Sequence, residues 1–321
     1  MVTLTLSVTK EQLAGCGEDA WVRKTDSPGS ALIAALDGCG GSGSIRHSRL
    51  GNWSSARIAS HQIARALGQW FDVHQNSGRN PNTTAPETLA AEMHSIFSRE
   101  LESLKTYITE KESETQQISR LFRQFPTTLA AILVEQAEKN CCRICSFWAG
   151  DSRTFFFPVT GLQQTSWDDL RGNPDPFDSL QDGIMSNVIC ADKPFEIHVR
   201  ETRVEEPCMV LAASDGCFSY FLTPMHLEAV LLDTLQGATS PKEWEATIGQ
   251  VLAAVAGDDY TLQLAVIGFS NFDALKAAYA PRWQEFCRRY GAITESGLTK
   301  ELAYTLWLDY KTGYLLPEDQ S

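Results

Sequence analysis

Two apolar runs in this chain end on the same pair of residues. Ala31-Leu-Ile-Ala-Ala-Leu36 runs into Asp37-Gly38, and Met209-Val-Leu-Ala-Ala-Ser214 runs into Asp215-Gly216. A third acidic point, Gly257-Asp258-Asp259-Tyr260-Thr261, precedes the apolar run from Leu262 to Phe269. A fourth, Gly17-Glu18-Asp19-Ala20, stands just before Trp21-Val22. A carboxylate at the end of a core strand sits on rigid backbone beside low-dielectric packing. Several converging there repel one another unless something positive binds. Hard divalent cations suit such a cluster, because Mg²⁺ and Mn²⁺ prefer carboxylate, carbonyl and water oxygens. Glycine after the aspartate lets the backbone turn sharply and expose its carbonyl. Asp-Gly is also a common turn. Asp182-Gly183 follows no core strand and is read only as that, and Gly150-Asp151-Ser152-Arg153 reads by itself as a hairpin loop between two strands.

The elements that must position these residues are short. Strands are expected at Val2–Val8, Ala31–Leu36, Thr128–Val134, Arg143–Trp148, Thr154–Val159, Met209–Ala213 and Leu262–Phe269. These runs are rich in β-branched, aromatic or small apolar residues and bounded by Gly, Asp or Pro. Helical spacing of apolar residues predicts helices over Ser54–His74 and Thr88–Phe125, the second with a polar middle, Glu110–Gln117, read as a solvated face or a break. Further helices are expected at Pro224–Thr234, Pro241–Val255, Phe272–Tyr290 and Thr299–Tyr310. Gly161–Pro207 reads as a loop-rich insertion with at most one short helix. Strands and helices come in blocks, which favours an α+β fold with largely antiparallel sheets over a doubly wound parallel one.

Composition narrows the function classes. The chain has 321 residues, 27 Lys and Arg against 40 Asp and Glu, and a net charge of −13. That charge argues against a nucleic-acid partner, whose phosphates need clustered Lys and Arg. No apolar run approaches the roughly 18–20 residues of a membrane helix. The N-terminus alternates like a strand and lacks the pattern of a secretory signal. Nine scattered cysteines, an odd number, read as reduced thiols and hence a cytoplasmic protein. Other chemistries find little support. Gly38–Gly43 fits G-x-G-x-x-G, but no acidic residue lies between Gly43 and Asp72 for a dinucleotide ribose. Cys141-Cys142-Arg-Ile-Cys145 has no second ligand pair at zinc spacing. No G-x-S-x-G or H-E-x-x-H occurs.

Taken in order, Glu18-Asp19-Ala20, Asp37-Gly38-Cys39-Gly40-Gly41, Pro126-Thr127-Thr128-Leu129, Gly150-Asp151-Ser152-Arg153, Ser214-Asp215-Gly216 and Asp258-Asp259-Tyr260-Thr261 resemble the protein phosphatase 2C family. The match runs from about residue 10 to 270. The resemblance implies two antiparallel β-sheets packed as a central sandwich with helix pairs outside (four layers, αββα). Residues 1–270 would form the catalytic domain and 271–321 a helical C-terminal extension packed on it. It implies a metal-dependent protein serine/threonine phosphatase using two divalent cations, Mg²⁺ or Mn²⁺. Asp37 would bridge them, the Gly38 carbonyl would ligate one, and Asp215 and Asp258 would complete the first ion's protein ligands. Glu18 would hold a metal-bound water, with Asp19 beside it. Asp151 with Asp215 would support the third, weaker ion found in some members. A water shared by the two ions would then attack phosphorus in line. The partners implied are a phosphorylated protein substrate and a cognate kinase.

The chain departs from the family in places. Many members carry a phosphate-binding arginine a few residues before the Glu-Asp pair. Here Leu13-Ala-Gly-Cys-Gly17 holds none, so Arg23 or Lys24 on the following strand is expected to serve. Cys39 stands where some members have histidine, and Asp259 where asparagine is common. The missing arginine favours a second reading, a catalytically silent module that binds a phosphorylated partner or regulates a kinase. The retained Asp37, Asp215 and Asp258 oppose it, because buried carboxylates without a cation are costly.

Overall fold

The computed structural model describes residues 1–26, 29–109, 123–172, 175–178, 183–205, 207–294 and 297–316. Successive side chains of a strand point to opposite faces, and here both faces are covered. In β3 (Ser30–Leu36), Leu32, Ala34 and Leu36 join one apolar core while Ala31, Ile33 and Ala35 join another. That double burial is why the strand reads as an unbroken apolar run.

Two five-stranded antiparallel sheets result. The first has the order β1 (Val2–Lys10), β12 (Tyr260–Ile267), β11 (Cys208–Ala213), β8 (Arg153–Pro158) and β9 (Gln163–Gln164). The second has the order β10 (His198–Val204), β7 (Cys141–Ala149), β6 (Leu129–Glu138), β3 and β2 (Ala20–Asp26). A small ribbon, β4 (Arg46–His47) with β5 (Trp53–Ser54), leads into the first helix. Helices α1 (Ser55–Asn76) and α2 (Pro86–Thr109) cover the second sheet through Ile63, Leu67, Phe71, Met93 and Phe97. Helices α3 (His226–Gly237) and α4 (Pro241–Val255) cover the first through Leu231, Trp244, Ile248 and Leu252. The expected four layers are present.

Helices α5 (Phe272–Tyr290) and α6 (Lys300–Tyr314) add to the same outer core with Tyr279, Phe286, Trp307 and Tyr314, all buried. Glu228 of α3, fully buried, pins both: Arg282 grips it with two hydrogen bonds at 2.6 and 2.9 Å, and the Tyr310 hydroxyl donates to it at 2.5 Å.

Two expectations need correction. The loop-rich insertion contains β10, paired along β7 from Trp148 to Cys142, and no helix among its described residues. His198-Val-Arg-Glu-Thr-Arg-Val204 is an edge strand whose residues are mostly half-buried, so it lacks an apolar run. The helix expected to reach Phe125 does not: Phe125 has φ +56° and stacks on His47. The polar stretch Glu110–Gln117 lies outside the described residues. Among the described residues no helix is long and apolar enough to cross a membrane. All nine cysteines are free.

Candidate active site

Register brings the acidic points to one end of the sandwich. Ala20 at the start of β2 lies opposite Leu36 at the end of β3, so Glu18-Asp19 and Asp37-Gly38 emerge side by side. Leu129 opening β6 lies opposite Ala149 closing β7, which sets Thr127-Thr128 beside Gly150-Asp151. In the other sheet Ala213 lies opposite both Leu262 and Arg153, so Asp215, Asp258-Asp259 and Asp151 share that end. Strands about 4.8 Å apart thus place these carboxylates on neighbouring tracks.

Hydrogen bonds then fix the loops. The Thr128 amide donates to the Asp37 carbonyl at 2.8 Å, and its hydroxyl accepts the Asp37 N–H at 3.0 Å. That hydroxyl also bonds the Ser152 hydroxyl at 2.6 Å, beside Asp151. Thr127 donates its hydroxyl to the Asp37 carbonyl at 2.8 Å. Across the sheets, the Ser214 hydroxyl donates to Asp19 at 2.8 Å. Ser54 caps α1 by accepting the Arg57 N–H at 3.1 Å, and donates its hydroxyl to Glu18.

The glycines after Asp37 and Asp215 serve close approach; neither has a positive φ. A Cβ on Gly38 would stand 2.7 Å from the Glu18 carbonyl and 2.8 Å from Ala56 backbone atoms. One on Gly216 would stand 2.0 Å from the Asp259 carbonyl. The sharp turn expected of these glycines is therefore replaced by a steric requirement.

Electrostatics separate this cluster from ordinary turns. Burial and repulsion from Asp215 push the Asp37 carboxyl well above the usual range. The same causes raise Asp19 to about 7 and Asp151 to about 8. Glu18 is raised by burial, with Asp259 and Asp258 adding repulsion. One Asp151 oxygen, Oδ1, is buried with no hydrogen-bond partner. An all-oxygen, mutually repelling set with an orphaned buried oxygen fits a hard divalent cation. Among the described residues no group of three or more acidic, His or Cys side chains is by itself placed to hold a metal ion.

Arg23 and Lys24 lie elsewhere. Arg23 stands three strand residues beyond Ala20, about 10 Å along β2, with its guanidinium over Trp21. Lys24 pairs with Asp72 of α1 at 2.5 Å. Asp258 is exposed, and its Oδ1 accepts the Asp259 N–H at 2.7 Å.

Sequence reasoning missed other residues here. Arg46 of β4 acts electrostatically on Glu18. Arg57 donates to the Gly17 carbonyl and stacks over Trp53. Asp169, in the insertion, accepts the Gly150 N–H at 3.0 Å and bonds Asn187 and His198, bracing the Asp151 turn. Only these through-space contacts reveal them.

Asp259 has a positioning role. Its two carboxylate oxygens accept the Gln12 N–H at 2.7 Å and the Glu18 N–H at 2.6 Å. Asparagine has one carbonyl oxygen, so its NH₂ would face one of these donors. Asp259→Asn is expected to cost about 1–3 kcal/mol and to raise the Mn²⁺ concentration for half-maximal activity. A metal titration of activity with a parallel melting curve checks both; an unchanged titration would remove Asp259 from this role.

A family model described as protein phosphatase 2C matches residues 15–253. The chain belongs to the protein phosphatase 2C family. By that membership it is a phosphoprotein phosphatase. No curated protein matches the sequence. Solved structures share the protein phosphatase 2C fold at low identity. The serine/threonine phosphatase Stp1 from Staphylococcus aureus is 18% identical, covers 84% of this chain and 96% of its own, and superposes with a TM-score of 0.59. The PPM Ser-Thr phosphatase MsPP from Mycobacterium smegmatis, solved with cacodylate, is 16% identical over 83% of this chain and 99% of its own, TM-score 0.57. The catalytic domain of the serine/threonine protein phosphatase PstP, solved with two manganese ions, is 18% identical over 83% and 98%, TM-score 0.55.

Proposed function

We propose that this phosphatase hydrolyses phosphoserine and phosphothreonine in proteins with the help of two divalent cations, Mg²⁺ or Mn²⁺. One observation carries the reading: Asp37, Asp19 and Asp151 are each pushed toward protonation, and Asp215 contributes to all three shifts. Asp37, the Gly38 carbonyl, Asp215 and Asp258 are the proposed ligands, with Asp151 available to a third, weaker ion. When bound, the cations supply the charge that ionises an attacking water near neutral pH and stabilises the transferring phosphoryl group.

The chain's own residues do the rest. Thr127 and Thr128 hold the Asp37 backbone from three directions. Ser54 orients the Glu18 carboxylate, the proposed holder of a water at the site. Ser214 steadies Asp19. Arg46, whose charge already reaches Glu18, is the proposed contact for substrate phosphate. Arg23 is assigned to the substrate's flanking chain instead, and Lys24, held by Asp72, to neither. Residues 1–270 are the proposed catalytic unit, with 271–321 a buttress. The proposed setting is the cytoplasm, opposite a kinase, where free thiols persist.

Hydrolysis of a small aryl phosphate with Mn²⁺, with Mg²⁺ and with EDTA tests the proposal. Activity is expected with either metal and none in EDTA. A folded protein inert toward the aryl phosphate and toward phosphopeptides would move the reading to the silent binding module.

A further inference from the structure

A cleft of about 930 Å³ opens beside Asp19. It runs between β1 and β2, the edge strands of the two sheets, and is closed on one side by α1. Lys10, Arg23, Lys24 and Arg65 line it, against Glu11 and Asp19. Lys24 is engaged by Asp72, and Glu11 by Arg57. Lys10, Arg23 and Arg65 are exposed, and among the described residues none has a carboxylate partner. Three open cations in one cleft invert the sign of a chain whose net charge is −13. At physiological salt the screening length is about 8 Å, so a ligand in the cleft feels these groups more than the distant surface.

The cleft is continuous with the candidate site through Asp19, Ala20 and Thr261. From Asp19 to Arg23 the strand advances four residues, about 13 Å. An extended peptide covers the same span in about four residues. We propose that the cleft receives acidic side chains flanking the phosphoresidue, so that the substrates are phosphoproteins with Asp or Glu three to four residues from the phosphate. This rests on the reading above, in which the phosphate sits among the carboxylates at the end of the sandwich. The charge pattern selects an acidic segment over a neutral or basic one. Exposed cations give specificity in steps, each a fewfold effect, and three acting together give about tenfold.

Binding in EDTA isolates the cleft from any attraction between phosphate and metal. Two fluorescein-labelled phosphoserine peptides are compared by anisotropy at about 0.1 M salt. One carries Asp at the third and fourth positions on both sides, and the other carries Asn there. The acidic peptide is expected to bind about tenfold tighter, and Lys10→Glu/Arg65→Glu is expected to erase that preference. Both replaced residues are exposed, and a melting curve checks that the variant folds. Equal binding of the two peptides, or a preference that survives the double substitution, overturns the proposal. Turnover of both peptides with Mn²⁺ is recorded separately. An acidic preference in binding without turnover keeps the cleft and sinks the phosphatase mechanism; turnover without the preference does the reverse.

Discussion

Asp215→Asn is expected to lower hydrolysis of an aryl phosphate by at least about 1,000-fold, because it removes a proposed metal ligand and its charge together. The same change is expected to stabilise the metal-free protein. Asp215 repels Asp37, Asp19 and Asp151, and all three are raised. Unfolded aspartates ionise near pH 4. Asp19 and Asp151 ionise in the folded protein at about 7 and about 8. Between those values the folded state holds more protons than the unfolded one, so stability falls as pH rises. In EDTA the melting temperature of the native protein is therefore expected to drop from pH 6 to pH 8. The window lies above the titration of Glu11 and Asp309, whose carboxyls are lowered by hydrogen bonding. Asp215→Asn should flatten that drop. Mn²⁺ should raise the native melting temperature at pH 8 and leave the variant's nearly unchanged, since a ligand stabilises only what binds it. Full activity in the variant, or an equal response to Mn²⁺, would falsify the assignment of Asp215.

Arg282→Met carries the second large effect. Glu228 is fully buried and its charge is answered by Arg282, itself only 12% exposed. Methionine keeps much of the volume but leaves the Glu228 carboxylate with the Tyr310 hydroxyl as its remaining hydrogen-bond donor in this cluster. Stranding a buried charge costs about 3–5 kcal/mol, which for a chain of this size lowers the melting temperature by about 10 °C. Glu228→Leu added to Arg282→Met should recover most of that loss, because a well-packed apolar pair often matches a buried ion pair. A single variant that melts like the native protein would mean that α5 and α6 are held by their aromatic packing alone. The link reaches toward the candidate site: Arg153, two residues beyond Asp151, is raised by its Asp168 partner and by Tyr314 of α6. Activity of Arg282→Met is best measured well below its melting temperature.

The sequence by itself determined the seven core strands, the acidic residues at their ends and most helix positions. Six of those strands are largely buried on both faces and stand out by their apolar content, while the half-exposed edge strand β1 is legible from its polar–apolar alternation. Helices α4 and α5 match expectation because their caps are local: Ser240 accepts the Glu243 N–H, and Asn271 accepts the Ala274 N–H. The order of the acidic motifs also pointed to the family, whose members share their sequence order rather than close identity. Tertiary structure alone decided the rest. Strand β10 is stabilised by pairing with β7, and its half-buried residues carry no apolar signal. Arg46 acts on Glu18, while Lys24 is drawn away to Asp72, a choice between cations that depends on how β2 meets α1. Asp259 grips the Glu18 amide across a separation of 241 residues. The carboxylates' shared rise toward protonation comes from burial and from one another, and both exist only once the two sheets close.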